Sequence, residues 1–159
     1  MPAAALLLSL LLAASPDAWK DFAPLLGEWV ADKQPDGATG GFTLEPAVQG
    51  RVLVRRNTAD YPKSKDRPAS HHEDLMVVFH EGGATRADYF DNEGHVIHYA
   101  VTIRDRTARF VSVPSPGAPR FRLTYDWSGA NGVNITFEIA PPNSPDAFHP
   151  YIRATAHRK

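Results

Sequence analysis

From Gly27 to its end, the chain consists of short runs rich in β-branched and aromatic residues, separated by glycine, proline, asparagine or aspartate. The spacing predicts ten strands, at residues 28–32, 41–46, 51–58, 72–80, 85–91, 95–104, 107–113, 120–127, 133–140 and 151–157. Connections this short leave no room for crossover helices. We therefore expect an all-β fold, an antiparallel up-and-down barrel of about ten strands, with a sandwich as the alternative.

The N-terminal region has a different character. Residues 6–14 form an apolar run with the length of a signal-peptide core, too short to span a bilayer as a helix. We expect residues 1–15 to be a signal peptide and residues 16–159 to form one secreted or periplasmic barrel domain, with no membrane span after signal removal. An uncleaved signal and a misassigned start codon are the alternatives.

A short helix is predicted between this segment and the first strand. Asp17 is expected to cap it, and Leu26 to end it before Gly27. Trp19, Phe22 and Leu26 have the spacing of one helical face.

Composition excludes several classes of function. The chain carries 17 Lys and Arg against 18 Asp and Glu, so its net charge of −1 provides no field to attract nucleic acid. It contains no cysteine, which excludes disulfides, thiolate metal sites and a cysteine nucleophile.

Two hairpins indicate which side chains face inward. A type I turn over residues 91–94, with Gly94 in the left-handed bulge position, opposes Tyr89 to Ile97 and places Asp88 opposite His98 on the outside. A two-residue turn at residues 82–83 opposes Met76 to Tyr89.

Extending these registers, with the alternation of the later strands, predicts an interior with an apolar wall and few polar groups, as small-molecule pockets have. The predicted ligand-binding residues are Met76, Val78, His80, Tyr89, Tyr99, Tyr125 and Phe137. The ligand is expected to enter beside the polar loop 58–70.

The Gly-x-Trp at residues 27–29, directly after the short helix, resembles the calycin superfamily, and most closely the lipocalin-like β-barrel domains of uncharacterised exported bacterial proteins. The resemblance implies that an arginine late in the chain, Arg153 or Arg158, packs over Trp29 and seals one barrel end. The sequence is less similar to haem-binding barrels of the nitrobindin type, because Tyr151 occupies the position of their proximal histidine, with His149 nearby.

The segment 70–74 holds the densest group of metal-ligating side chains. Strand alternation places His72 and Asp74 on one face and His71 and Glu73 on the other, so we interpret it as a solvated loop end and predict no metal site. Asp88 and His98 are expected to form a surface ion pair.

These features favour a non-catalytic carrier or sensor that binds a small apolar or amphipathic molecule inside the barrel, with no catalytic residue and no cofactor predicted. One alternative is a haem-binding or other histidine-based enzyme that uses His72, His80 or His149. The other is a filled barrel that acts as a structural or protein-interaction module.

Overall fold

A computed structural model describes residues 18–34, 36–127 and 132–159. Ten antiparallel strands form one closed barrel in which each strand pairs with its neighbours in the chain and the first pairs with the last. They are β1 Gly27–Ala31, β2 Thr39–Ala47, β3 Val52–Tyr61, β4 Ser70–Glu81, β5 Ala84–Asp91, β6 Val96–Arg104, β7 Thr107–Ser112, β8 Arg120–Asp126, β9 Gly132–Ala140 and β10 His149–Arg158. The all-β up-and-down barrel is therefore confirmed. The expected signal segment, residues 1–15, lies outside the described residues.

Strands β3 and β4 are longer than predicted. Their pairing continues to Tyr61 opposite Ser70, which shortens the expected loop 58–70 to residues 62–69. Polar side chains on the outer face support the extension, since His71 Nδ1 lies 2.7 Å from Asp60 Oδ1. The segment 70–74 is thus strand, and the interpretation as a loop end is wrong.

Both predicted hairpin registers are confirmed. Gly82 and Gly83 have φ angles of 57° and 78°, as a type I′ turn requires, and Met76 lies opposite Tyr89. Gly94 has φ 91° in the bulge position, and Tyr89 lies opposite Ile97.

The N-terminal helix is a 3₁₀ helix over Lys20–Leu25, and the expected cap Asp17 lies outside the described part of the chain. Trp19, Phe22 and Leu25 are its buried face, whereas Leu26 is only partly buried. The expected face was wrong at this last position because a 3₁₀ helix has three residues per turn, so contacts recur at every third position.

This helix closes one end of the barrel, hereafter the closed end. Trp19 Nε1 donates a hydrogen bond of 2.8 Å to Gly50 O in the β2–β3 turn, and Phe22 packs against Phe110. Among the described residues no helix is long and apolar enough to cross a membrane.

Trp29 and Arg158 complete the seal. Trp29 is 1 % exposed, and its Nε1 donates to Leu25 O at 2.9 Å. The Arg158 guanidinium lies 4.6 Å from the centre of the Trp29 ring and donates to Leu26 O. Of the two candidate arginines, the structure therefore selects Arg158, whereas Arg153 is exposed on β10.

Candidate functional site

The opposite end of the barrel, hereafter the open end, carries the loops 62–69, 92–95, 113–119 and 141–148. Several apolar or aromatic side chains near this end point inward by strand alternation yet remain partly exposed. They line what we call the recess: Tyr89, Ile97, Phe121 and Phe137.

A buried ion pair lies at the floor of the recess. Arg55 on β3 and Asp74 on β4 are 6 % and 5 % exposed, and Arg55 Nη1 donates to Asp74 Oδ1. Asn57, directly opposite Asp74, donates from Nδ2 to Asp74 Oδ2 at 2.9 Å. The two charges thus offset each other, as buried charges require.

Aromatic rings enclose the guanidinium of Arg55. Its Cζ lies 5.7 Å from the ring centre of Phe42 and 5.8 Å from that of Tyr125, within the range of cation–π attraction. Burial raises the pKa of Tyr125 to about 12, against the opposing effect of the Arg55 charge. Among the described residues, Arg55 Nε and the Tyr125 hydroxyl are buried without a hydrogen-bond partner.

His72 connects this pair to the open end. Its Nε2 lies 3.2 Å from Asp74 Oδ2 and 3.3 Å from the Tyr89 hydroxyl, while its Nδ1 lies 3.4 Å from Glu93 Oε1. The hydrogen bond with Asp74 raises the pKa of His72, and burial opposes this effect. A continuous line of polar contacts therefore leads from the β5–β6 turn to the buried arginine.

His72, Asp91 and Glu93 could together offer ligand atoms to a divalent cation, because these atoms lie within 4.8 Å of one another. The Asp91 carboxylate, however, already accepts hydrogen bonds from the backbone N–H groups of Glu93 and His95, at 3.0 and 2.9 Å, and from the Tyr89 hydroxyl at 3.2 Å. Burial would raise the pKa of Asp91, but the hydrogen bonds from His95 outweigh it and the pKa is lowered. The hydrogen bonds within and beside the β5–β6 turn therefore explain the position of the Asp91 carboxylate.

Six of the seven predicted ligand-binding residues face the interior. Four of them are buried: Met76, Val78, Tyr99 and Tyr125. The other two, Tyr89 and Phe137, are partly exposed in the wall of the recess.

The seventh, His80, does not reach the recess. It is exposed at the closed end, where its ring stacks on Trp19 at 4.3 Å and its Nε2 donates to Ala18 O at 3.0 Å. The physical reason is that it is the second-last residue of β4, which places it at the edge of the barrel under the N-terminal helix.

The polar floor was not predicted. Asp74 and His72 lie two and four residues before Met76 on β4 and therefore on the same face of the strand. The confirmed register of Met76 would have placed both side chains inside. Arg55 shares the parity of Leu53 in the same way. Adjacent Arg55 and Arg56 offered no sign of which one points inward, and charged residues are rarely buried.

The histidines named for a haem or enzyme function do not converge. His72 is held by Asp74 and Tyr89, His80 stacks at the closed end, and His149 is exposed at the start of β10. This arrangement does not fit a haem ligand in the barrel interior.

Two clefts have volumes of about 350 and 460 Å³. One lies beside β9 and β10 and the other beside the loop 62–69, and neither is lined by Arg55 or Tyr125. Asp88 and His98 form the expected outer ion pair, with 2.6 Å between Oδ1 and Nδ1.

In comparisons with known proteins, no protein-family model and no curated protein sequence matches the chain. The closed barrel of ten antiparallel strands is compatible with a lipocalin-like fold.

Proposed function

We propose that the protein is a non-catalytic carrier or sensor of the lipocalin-like, calycin type, which holds one small amphipathic molecule in the recess. The observation that carries this proposal is the partial exposure of inward-facing side chains such as Ile97 and Phe137 above a buried polar floor. Small-ligand sites combine apolar walls with a few polar groups in the same way.

The two halves of the barrel differ in a manner that suits such a function. At the closed end the interior is filled by large buried side chains, including Trp29, Phe110 and Leu25, which provide stability. Towards the open end the wall is aromatic and aliphatic but not fully covered. A ligand with an apolar body would cover that wall and gain roughly 25 cal/mol for each Å² of apolar surface removed from water.

Titration of the delipidated full chain with an environment-sensitive fatty-acyl or polycyclic probe tests the proposal. We expect saturable fluorescence with about one probe per chain. Tyr99→Trp should weaken probe binding, because Tyr99 is 2 % exposed and packs edge-on against Tyr89 and Phe110, so the added volume is directed into the recess.

The matched control is His98→Ala, next to Tyr99 on β6 but exposed on the outer face. Probe binding should be unchanged in this variant. If no probe binds the wild-type chain, the interior is filled and the carrier proposal is rejected in favour of a structural module.

We also propose export, on the apolar run at residues 6–14. Fractionation of expressing cells should place the chain outside the cytoplasm. Recovery of full-length cytoplasmic protein that retains Met1 would argue against it.

A further inference from the structure

Two hydrogen-bond donors at the floor of the recess lack a partner among the described residues: Arg55 Nε and the Tyr125 hydroxyl. Buried polar groups are nearly always paired in proteins, and each exception needs an explanation such as a water or a ligand. Arg55 and Tyr125 are neighbours, since the guanidinium lies 5.8 Å from the centre of the Tyr125 ring. An acceptor atom in contact with both groups would satisfy both donors.

The position of the pair allows access from the recess. Arg55 belongs to a row of directly opposed residues on neighbouring strands that continues through Met76 to Tyr89 and Ile97. Tyr89 and Ile97 are both partly exposed. On the other side of the barrel Tyr125 lies opposite Ile135, and Phe137, two residues further along β9 towards the open end, is partly exposed. A molecule whose apolar body contacts these side chains would bring its inner end to the two donors.

Charge decides which kind of acceptor fits. Asp74 already offsets the charge of Arg55, through a direct ion pair in which both partners are buried. A carboxylate at this position would add a second buried negative charge beside Asp74, whose partners are Arg55 and His72, and a buried charge without a partner of its own is strongly disfavoured. An uncharged oxygen would accept the same hydrogen bonds without that penalty.

We propose that the floor of the recess binds an uncharged oxygen acceptor, such as the carbonyl oxygen of a ketone, ester or amide, between Arg55 Nε–H and the Tyr125 hydroxyl. This inference rests on the proposed function, because it names the polar group of the amphipathic ligand. The body of that ligand is apolar.

The test compares three probes of equal chain length, a long-chain methyl ketone, the corresponding alkane and the corresponding alkanoate. Each displaces the fluorescent probe from the delipidated full chain at neutral pH. We expect the ketone to bind about tenfold more tightly than the alkane, from hydrogen bonds that include one to a charged donor. The ketone should also bind more tightly than the alkanoate.

Tyr125→Phe removes the hydroxyl and keeps the ring. The ratio of ketone to alkane affinity should fall roughly threefold or more, as expected for the loss of one hydrogen bond. The matched control is Thr124→Val, which removes a hydroxyl from the adjacent residue of β8 on the outer face and should leave the ratio unchanged. Arg55 is unsuitable for this test, since its replacement leaves Asp74 buried without its ionic partner.

The outcomes separate the two proposals. If none of the probes binds, the proposed function fails. If all bind but the ketone and alkane have equal affinity, or the alkanoate binds most tightly, the uncharged acceptor is refuted while the carrier function stands. A ratio that is the same in Tyr125→Phe and wild type would also refute the assignment, and a thermal unfolding curve confirms that the variant is folded.

Discussion

Replacing Asp74 by leucine should strongly destabilise the fold, because it leaves the Arg55 guanidinium buried without its ionic partner. Both side chains are less than a tenth exposed, so solvent cannot compensate the charge that remains. Removing one partner of a buried pair typically costs about 3–5 kcal/mol. We expect Asp74→Leu to fall in this range.

The reciprocal change, Arg55→Met, should be less destabilising and cost about 1–2 kcal/mol in total. The reason is that Asp74 keeps hydrogen bonds from Asn57 at 2.9 Å and with His72 at 3.2 Å. The double variant, with both changes, should lie within about 2 kcal/mol of wild type, since an apolar pair of similar volume replaces the ions.

Urea unfolding of the four chains at one pH, followed by tryptophan fluorescence, provides the free energies and the coupling between the two sites. An additive cycle, or a loss below about 1 kcal/mol for Asp74→Leu, would show that the pair is not buried as described.

Two other predictions concern the His72 contact and the closed end. The pKa of His72 is raised in the folded protein. The contribution of its protonated form to stability should therefore be fully present below the unfolded pKa of about 6.5 and be lost as pH rises through the folded value. Over that pH window the free energy of unfolding should decline in wild type and decline much less in His72→Gln. Trp29→Ala should cost about 3–5 kcal/mol by thermal or urea unfolding, and Arg158→Ala only about 1 kcal/mol, because Trp29 is 1 % exposed whereas Arg158 contributes a cation–π contact at the surface. Equal losses in the two variants would contradict this division of the seal.

Turn chemistry explains why the hairpins could be predicted from the sequence. A Gly82-Gly83 pair and a Gly94 bulge each require positive φ, and both select one register out of those that strand alternation alone allows. With the registers correct, Tyr89 and Tyr99 followed on the inner face.

Arg55 could not be placed in the same way, because neither of the two hairpins used to assign the register includes β3 and the hydrophobic pattern is silent about buried charges. Val52, Leu53 and Val54 are all apolar, so alternation is invisible at the start of β3. For His80 the strand face could be predicted but the surroundings of the side chain could not. Its parity was correct, but only the position of the N-terminal helix places it under Trp19.

Mass spectrometry of an organic extract of the full chain, purified from its native host, tests the central claim most directly. The account predicts one recurring small amphipathic molecule with a neutral oxygen group, near one per chain, reduced in Tyr99→Trp and retained in His98→Ala. An empty wild-type extract, together with the failure of every fluorescent probe to bind, would show that the barrel is filled by its own side chains and would contradict the account.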